Sequence, residues 1–306
     1  MIINSQKRSF GRGAKVSLFT LGTMRATESL EKMYSIIKNA YYVGINHIET
    51  APSYGDAESL IGNSIKKLAI EENIKEKNWV ITSKVLPKGD FDFLKNNFKK
   101  SLKNLNREKI NNLAIHGLNL KQHLDWVLTG EGKKFISWIL EKELVDQVGF
   151  SSHGSYSLIK DAINCEVFTF CSLHLHYLDQ SKIALAEEAI KKGMGVLAIS
   201  PADKGGRLYS PSDILIEASK PFHPLELAYR FLLAKGITTL SLGATNKKDF
   251  EFAHKLRNSF KKLTKLEESA LNKIEEVSNE RLNLSLIHIS EPTRRYAISY
   301  AVFCLK

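Results

Sequence analysis

Short apolar runs alternate along most of the chain with longer segments in which apolar residues recur three and four positions apart. The short runs predict strands, and the longer segments predict amphipathic helices. The runs predicted as strands are VSLFTLG (16–22), INHIET (45–50), WVITSKV (79–85), NNLAIH (111–116), VDQVGFS (145–151), VFTFCSLHLH (167–176), GVLAIS (195–200) and ITTLSLG (237–243). β-Branched residues are frequent in them, which favours buried parallel strands.

The helical segments between these runs have clear boundaries. SLEKMYSIIKNAYYVG ends on Gly44, as expected of a helix C-cap. FLKNNFKKSLKNL (93–105), SKIALAEEAIKKG (181–193) and PLELAYRFLLAKG (224–236) have the same periodicity. Eight strands, each followed by a helix, predict an α/β fold: a (β/α)8 TIM barrel with an N-terminal extension. A Rossmann fold is the competitor, but no GxGxxG follows an early strand.

One extra helix is predicted beyond the eighth strand, over LTKLEESALNKIEEV (263–277). No internal repeat or low-complexity linker indicates a second domain, so residues 1–283 are expected to form one barrel domain. Residues 284–306, LSLIHISEPTRRYAISYAVFCLK, do not continue the pattern. They resemble a translated sequencing adapter, and the natural gene is therefore expected to continue past Asn283 with a different C-terminus.

Composition limits the classes of protein that this chain can belong to. Hydrophobic residues make up 43% and charged residues 25% of its 306 residues, and no apolar run reaches 18 residues, so no membrane association is expected. The first residues, MIINSQKRSFGRG, lack the apolar core of a secretory signal. The cysteines, at 165, 171 and 304, have no metal-type spacing. These features predict a cytoplasmic protein without a disulfide framework or a metal site.

The net charge of +11 comes from lysines scattered through helical segments such as EENIKEKN. No nucleic-acid-binding motif accompanies them, so they indicate a solvated basic surface rather than a nucleic-acid partner. An anionic dinucleotide would need only a local positive site.

Titratable residues lie where consecutive predicted strands end. Glu49 and Lys84 lie at the ends of the second and third strands, and His116 ends the fourth. Tyr54 lies in the loop just after Glu49. A barrel brings strand ends together at one rim, so these side chains are expected to meet there.

Carbonyl reduction would use such a set, because it requires a hydride on carbon and a proton on oxygen. An ammonium beside a tyrosine lowers the phenol pKa, and a carboxylate beside the lysine holds it charged. A histidine that donates to the carbonyl oxygen positions the substrate. Each residue alone would more often be structural or exposed.

GINHIETAPSYGDAESLIG (44–62) resembles the signature of the aldo/keto reductase family. SLFTLGTMR, ITSKV, IHGLN, VGFSSHG, AISPADKGG and SLGATNKKDF resemble later family blocks in order, over roughly residues 8 to 280. The resemblance implies reduction of a small aldehyde or ketone. It implies that Tyr54 is the general acid, Lys84 its pKa modulator, Glu49 the partner of the lysine and His116 the residue that positions the substrate.

Two departures from the family pattern leave an alternative open. Glu49 stands where most of the family has Asp, as in a bacterial subgroup common in cyanobacteria, and Ile199 stands where many members stack a tyrosine on the nicotinamide. The alternative is a catalytically weak nucleotide-binding barrel that acts as a sensor or interaction module. Some bacterial relatives also carry cysteine motifs for an iron–sulfur cluster beyond the barrel, but Cys165 and Cys171 have neither the spacing nor the number for one.

The resemblance also implies an NADP(H) cofactor, with NAD(H) as the alternative. The glycines permit close approach of the backbone, and a helix N-terminus with two lysines favours a 2′-phosphate. Asp249 stands where many NADP-preferring members carry arginine. The residues implied are Gly22 and Thr23 after the first strand; Ser151, Ser152 and Gln180 for the nicotinamide carboxamide; Ser200, Asp203, Lys204 and Gly205 for the pyrophosphate; and Gly243, Ala244, Thr245, Lys247 and Lys248 after the last strand.

Overall fold

A computed structural model describes residues 5–259 and 261–287. Within them, eight parallel strands form a closed barrel in the order β10-β3-β4-β5-β6-β7-β8-β9, which confirms the predicted TIM barrel. The barrel strands are β3 (Phe19–Gly22), β4 (His47–Glu49), β5 (Val80–Val85), β6 (Ile110–Ile115), β7 (Val145–Ser152), β8 (Phe170–His174), β9 (Gly195–Ile199) and β10 (Thr239–Leu242).

Helices surround the barrel and pack their apolar sides on it. In α3, for example, Leu94, Phe98 and Leu102 recur four residues apart and are buried, and the Asp90 side chain caps the helix by accepting from Phe93 N at 2.8 Å. The helices are α1 (Leu30–Tyr42), α2 (Ala57–Glu71), α3 (Phe91–Asn104), α4 (Lys121–Thr129), α5 (Glu131–Glu141), α6 (Tyr156–Asn164), α7 (Ile183–Lys191), α8 (Asp213–Ser219), α9 (Pro224–Ala234), α10 (Glu251–Leu256) and α11 (Lys265–Ile287).

The N-terminal extension is an antiparallel hairpin of β1 (Lys7–Arg8) and β2 (Val16–Ser17). The first predicted strand, 16–22, is therefore two strands, one in the hairpin and one in the barrel. Between β1 and β2, Phe10 is fully buried, with its ring centroid 5.0 Å from that of Phe170 and 5.2 Å from that of His47. The hairpin thus closes the barrel at the end where the strands begin.

Polar side chains on the inward face of six strands bond to one another, and we call this set the interior polar layer. His47 Nδ1 lies 2.7 Å from Thr20 Oγ1, and His47 Nε2 lies 2.7 Å from Thr82 Oγ1. All its members are buried and hydrogen-bonded, so the cost of burying them is offset. The layer consists of Thr20, His47, Thr82, Asn112, Gln147 and Thr239.

The extra C-terminal helix is present as α11, which is longer than the predicted 263–277. It is attached to the barrel by Glu267, whose carboxylate accepts from Arg230 Nε at 2.6 Å, both side chains being buried. The predicted boundary between residues 283 and 284 falls inside α11, and residues 288–306 lie outside the described residues. Among the described helices, none is both long and apolar enough to cross a membrane.

Candidate active site

The barrel brings four of the predicted site residues together at the rim where the strands end. Glu49 is the last residue of β4, Lys84 lies in β5, and His116 follows β6. Lys84 Nζ donates to Tyr54 Oη at 2.9 Å and forms an ion pair with Glu49. It also donates to the Thr50 carbonyl at 3.0 Å. The lysine therefore bridges the carboxylate and the phenol.

Burial dominates the electrostatics of this group. Lys84 and Glu49 are 2% and 4% exposed, and burial lowers the pKa of the Lys84 ammonium, while the contacting Glu49 carboxylate opposes that change. Burial also raises the pKa of the Tyr54 phenol, so its proton stays on Oη at neutral pH. The sequence-based expectation was a lowered Tyr54 pKa. Instead, burial raises the Tyr54 pKa, and the adjacent Lys84 ammonium only opposes that increase.

His116 completes the group. Its ring centroid lies 6.0 Å from that of Tyr54, nearly perpendicular to it, and Nδ1 lies 3.4 Å from Ser53 Oγ. Burial, then the charges of Lys84 and His153, lower the pKa of His116 to about 4. The imidazole is therefore neutral at pH 7, with one N–H to donate.

Two adjoining cavities open onto this group. The first, of about 490 Å³, is bordered by Leu86, Pro87, Asn119 and His123 in addition to the four residues above. The second, of about 390 Å³, extends across the rim toward β9, β10 and β3. Both are lined by Tyr54, His116, His153 and Ile199, so a molecule that fills the second meets one that fills the first.

The backbone around the second cavity has positions that only glycine or a strained residue can occupy. A Cβ on Gly22 would lie 2.7 Å from Ser241 Oγ. Gly205 has a φ of 72°, and Ser200 and Asp203 have φ values of 55° and 64° in the region that disfavours side chains. Such backbone strain is concentrated at functional sites.

Several residues implied as cofactor ligands line these cavities, and others do not. Those on the second cavity are Gly22, Thr23, Ser200, Asp203, Gly205 and Gly243, and Ser151 lines the first. Ser152 is fully buried and donates to the Leu118 carbonyl at 2.6 Å, which is a structural contact. Within the described part of the chain, the residues outside both linings are Ser152, Gln180, Lys204, Ala244, Thr245, Lys247 and Lys248.

A short 3-10 helix, Lys247–Phe250, follows β10, and its N-terminus is already paired with a carboxylate of the protein itself. The Asp249 carboxylate accepts from Thr245 N at 2.7 Å and from Asn246 N at 3.1 Å, and it forms a capping box with Asn246. The backbone N–H groups expected to receive a 2′-phosphate are thus occupied by Asp249.

Arg25 is a site residue that the sequence analysis missed. Among the described residues it is the only lysine or arginine that lines the second cavity, and its guanidinium donates to the Gly243 carbonyl at 3.5 Å. It follows the implied ligand Thr23 by two positions in SLFTLGTMR. Its place in that family block could therefore have identified it as a residue of the site.

A second group was also missed: His174, His176 and Asp179, which we call the rim histidine cluster. The two histidine rings lie 4.9 Å apart, centroid to centroid, at the end of β8. Burial, then the neighbouring charge of His176, lower the pKa of His174 to about 4. The signal was the alternation in LHLH, which puts both rings on one face of a strand.

The chain matches the model of the Aldo/keto reductase family over residues 19–299. That match continues beyond residue 283, where the barrel domain was predicted to end. Because it covers more than half of the chain, it shows which family the chain belongs to.

Two curated proteins are similar to parts of the chain. The aldose reductase of Encephalitozoon cuniculi (strain GB-M1) is 29% identical over 216 residues, which are 65% of this chain and 69% of that protein. Aldo-keto reductase str7 of Strobilurus tenacellus is 25% identical over 214 residues, which are 67% of this chain and 61% of that protein. The chain therefore spans less than two thirds of the second relative.

Solved structures agree on the fold. The holo form of aldo-keto reductase AKR11C1 from Bacillus halodurans has a TM-score of 0.74 at 19% identity, over 89% of this chain and 96% of that one. The aldose reductase of Giardia lamblia has a TM-score of 0.67 at 18% identity, over 85% and 92%.

Proposed function

Because the chain belongs to the aldo/keto reductase family, a family of NAD(P)H-dependent oxidoreductases, we propose that it reduces an aldehyde or ketone with NADPH and that Tyr54 is the general acid. The observation that carries this proposal is the bridge made by Lys84, which contacts both Glu49 and Tyr54 Oη where the two cavities meet. A small carbonyl compound is the substrate class that the family supports, and the first cavity, which Tyr54 lines, is the place proposed for it.

The proton chemistry is carried by the residues of the chain. When bound, the nicotinamide supplies the hydride. Tyr54 holds its proton at neutral pH and donates it to the carbonyl oxygen as negative charge develops there. Lys84, 2.9 Å away, stabilises the phenolate that remains, and Glu49 keeps the ammonium charged in its buried setting.

His116 positions the substrate. A neutral imidazole on the first cavity donates one hydrogen bond and places no second charge beside Lys84. Its donation to the carbonyl oxygen orients that oxygen toward Tyr54 and strengthens as the oxygen becomes anionic.

The cofactor is held, in this proposal, by the residues that line the second cavity. The backbone at Gly22 and Gly205 admits the dinucleotide, and Arg25 pairs with its phosphate charge. Ser151 contacts the carboxamide. Arg25 can pair with the pyrophosphate that both nucleotides share, so NADPH is supported by Lys247 and Lys248 after β10, whereas the carboxylate of Asp249 favours NADH as the alternative. A cytoplasmic location is supported by the free thiols of Cys165 and Cys171.

Replacement of Tyr54 tests the assignment. Tyr54→Phe should lower kcat by a factor of about 10²–10⁴ and leave NADPH affinity unchanged, because only the transferable proton is removed. The measurement is NADPH oxidation with a panel of aldehydes and ketones, together with NADPH binding by fluorescence. Tyr156→Phe, at an exposed tyrosine on α6, is the matched control.

Full activity in Tyr54→Phe would overturn the assignment. NADPH binding by the unaltered protein without turnover of any carbonyl compound would instead favour the nucleotide-binding barrel that Ile199 motivates.

A further inference from the structure

The geometry points to a binding site for a divalent transition-metal ion, with Zn²⁺ as the reference ion, formed by the rim histidine cluster. His174, His176 and Asp179 each offer one ligand atom, and these atoms lie within 4.8 Å of one another. The cluster shares no residue with the group around Tyr54, but it adjoins the cavities, because the His174 ring centroid lies 6.1 Å from that of His153, which lines both of them. A metal site here goes beyond the proposed reductase function.

Local structure builds the cluster. Side chains alternate along β8, so that Cys171, Leu173 and Leu175 pack in the outer hydrophobic core while the histidines face inward. A tight turn follows, in which Asp179 N donates to the His176 carbonyl at 3.2 Å and the two residues form an antiparallel bridge. The pattern H-x-H-x-x-D therefore brings all three side chains together within six residues.

Three of the four ring nitrogens of these histidines lack a hydrogen bond in the part of the chain that the structure describes. His174 lacks a hydrogen bond at both ring nitrogens and His176 lacks one at Nδ1, although the residues are only 6% and 5% exposed. Buried polar groups are normally hydrogen-bonded, because desolvation without compensation costs free energy. A bound ion would take up these lone pairs.

The donor set selects the class of ion. Two imidazoles and one carboxylate, without a thiolate, suit Zn²⁺ and its first-row neighbours rather than Ca²⁺ or Mg²⁺, which take oxygen ligands. Zinc binds nitrogen and oxygen at about 2.0–2.2 Å, so tetrahedral donors are about 3.3–3.5 Å apart. The three ligand atoms, within 4.8 Å of one another, must move closer by up to about 1.5 Å to reach that spacing, and exposed Asp179 lies in the turn after β8.

A second carboxylate lies beside the cluster. Asp203 Oδ1 is 3.6 Å from His176 Nε2. This carboxylate is held by the backbone N–H of Lys204 at 2.6 Å and by Arg207 Nε at 2.9 Å, so it accompanies the site as an outer partner. Such partners orient a ligating histidine and fix its tautomer.

Zinc binding is measured directly on the full-length protein after dialysis against EDTA, by titration with ZnSO₄ against a chromophoric chelator. We expect one Zn²⁺ bound at the cluster. His174→Gln, His176→Gln and Asp179→Asn should each weaken binding by at least the 10–100-fold that loss of an outer partner costs. His254→Gln, at an exposed histidine on α10, is the control for adventitious binding and should match the unaltered protein.

Co²⁺ substitution supplies a second readout, because its visible absorption reports nitrogen and oxygen ligands and should vanish in His176→Gln. Asp179→Asn keeps the test valid even if a buried histidine variant misfolds, since Asp179 is exposed. Equal zinc affinity in the cluster variants and in His254→Gln would overturn the site, as would no zinc binding by the unaltered protein. Tyr54→Phe should bind zinc normally, which separates this result from failure of the reductase proposal.

Discussion

His47 and His174 are both buried histidines on the inward side of barrel strands, yet their surroundings are opposite. Both ring nitrogens of His47 meet threonine hydroxyls at 2.7 Å, whereas neither nitrogen of His174 has a partner among the described residues. Burial lowers the pKa of both, to about 3 and about 4. A buried histidine therefore stabilises the fold in the interior polar layer, as His47 does, and is available to bind a ligand at the end of β8, as His174 is.

The difference follows from position along the barrel. At the level of His47, neighbouring strands supply Thr20 and Thr82, so the layer satisfies itself. At the rim the strands end, and the inward hydroxyl of Ser172 also lacks a partner among the described residues. At the end of β8, polar groups without partners are available to a ligand, whereas the satisfied groups of the interior polar layer stabilise the fold.

The largest expected effect comes from a rim residue that is fully paired. Lys84→Met should lower kcat by about 10²–10⁴-fold, because Tyr54 loses the cation beside its phenolate. It should also destabilise the fold by about 3–5 kcal/mol, because Glu49 is left as an uncompensated buried charge. Steady-state turnover measures the change in kcat, and urea unfolding measures the change in stability. Lys121→Met, at an exposed lysine on α4, should change neither, and an unchanged kcat in Lys84→Met would contradict the bridge.

Matched leucine replacements test the comparison itself. His47→Leu should cost about 3 kcal/mol of unfolding free energy, since it breaks two buried hydrogen bonds. His174→Leu should cost less than about 1 kcal/mol, since it removes a polar group without a partner. The midpoints of urea unfolding provide the values. Equal destabilisation by the two replacements would contradict the distinction between His47 in the interior polar layer and His174 at the rim.

Stability should fall as the pH is lowered below about 6.5. The pKa of folded His47 is about 3, below its ordinary value, so the unfolded chain binds protons first. The contribution of His47 is complete above about pH 6.5 and is lost as the pH falls toward 3, with a limiting slope of about 1.4 kcal/mol per pH unit. His47→Gln, which does not titrate, should have a shallower slope in urea unfolding between pH 6 and 4. An unchanged slope would contradict this assignment.

The smallest expected effect is on the choice of cofactor. Asp249→Asn should raise the ratio of NADPH to NADH affinity about 2–5-fold, because a carboxylate leaves the helix N-terminus. It should also cost about 1 kcal/mol of stability as the cap weakens. Fluorescence titration with both nucleotides gives the ratio. Asp213→Asn, in the first turn of α8, is the control, and an unchanged ratio in Asp249→Asn would place the 2′-phosphate elsewhere.

The sequence sufficed for the barrel and for the convergence of its strand ends, because strand order fixes which residues share a rim. Glu49 and Lys84 meet for that reason. Side-chain direction in loops could not be predicted, since a loop has no periodicity that assigns its side chains to one face. Asp249 turns back onto its own helix, and Gln180 lies exposed after the turn at Asp179.

The rim histidine cluster was missed for a related reason. The pattern predicted one strand over 167–176, running through both histidines, whereas β8 ends at His174 and a turn follows. Only that turn brings Asp179 back beside His176. Where a strand ends depends on its neighbours in the barrel, which an alternating pattern does not report.

The N-terminal hairpin has a consequence for the order in which the molecule is completed. Arg8 donates to the Leu233 carbonyl at 3.1 Å and Gln6 N donates to Asn258 Oδ1 at 3.0 Å, contacts between residues more than 200 positions apart. During synthesis, the N-terminal hairpin leaves the ribosome early. It cannot make these contacts until Leu233 and Asn258 have been synthesised. Contacts of such separation slow folding. Sealing of the barrel is therefore expected to be a late event in folding rather than a seed around which the strands assemble.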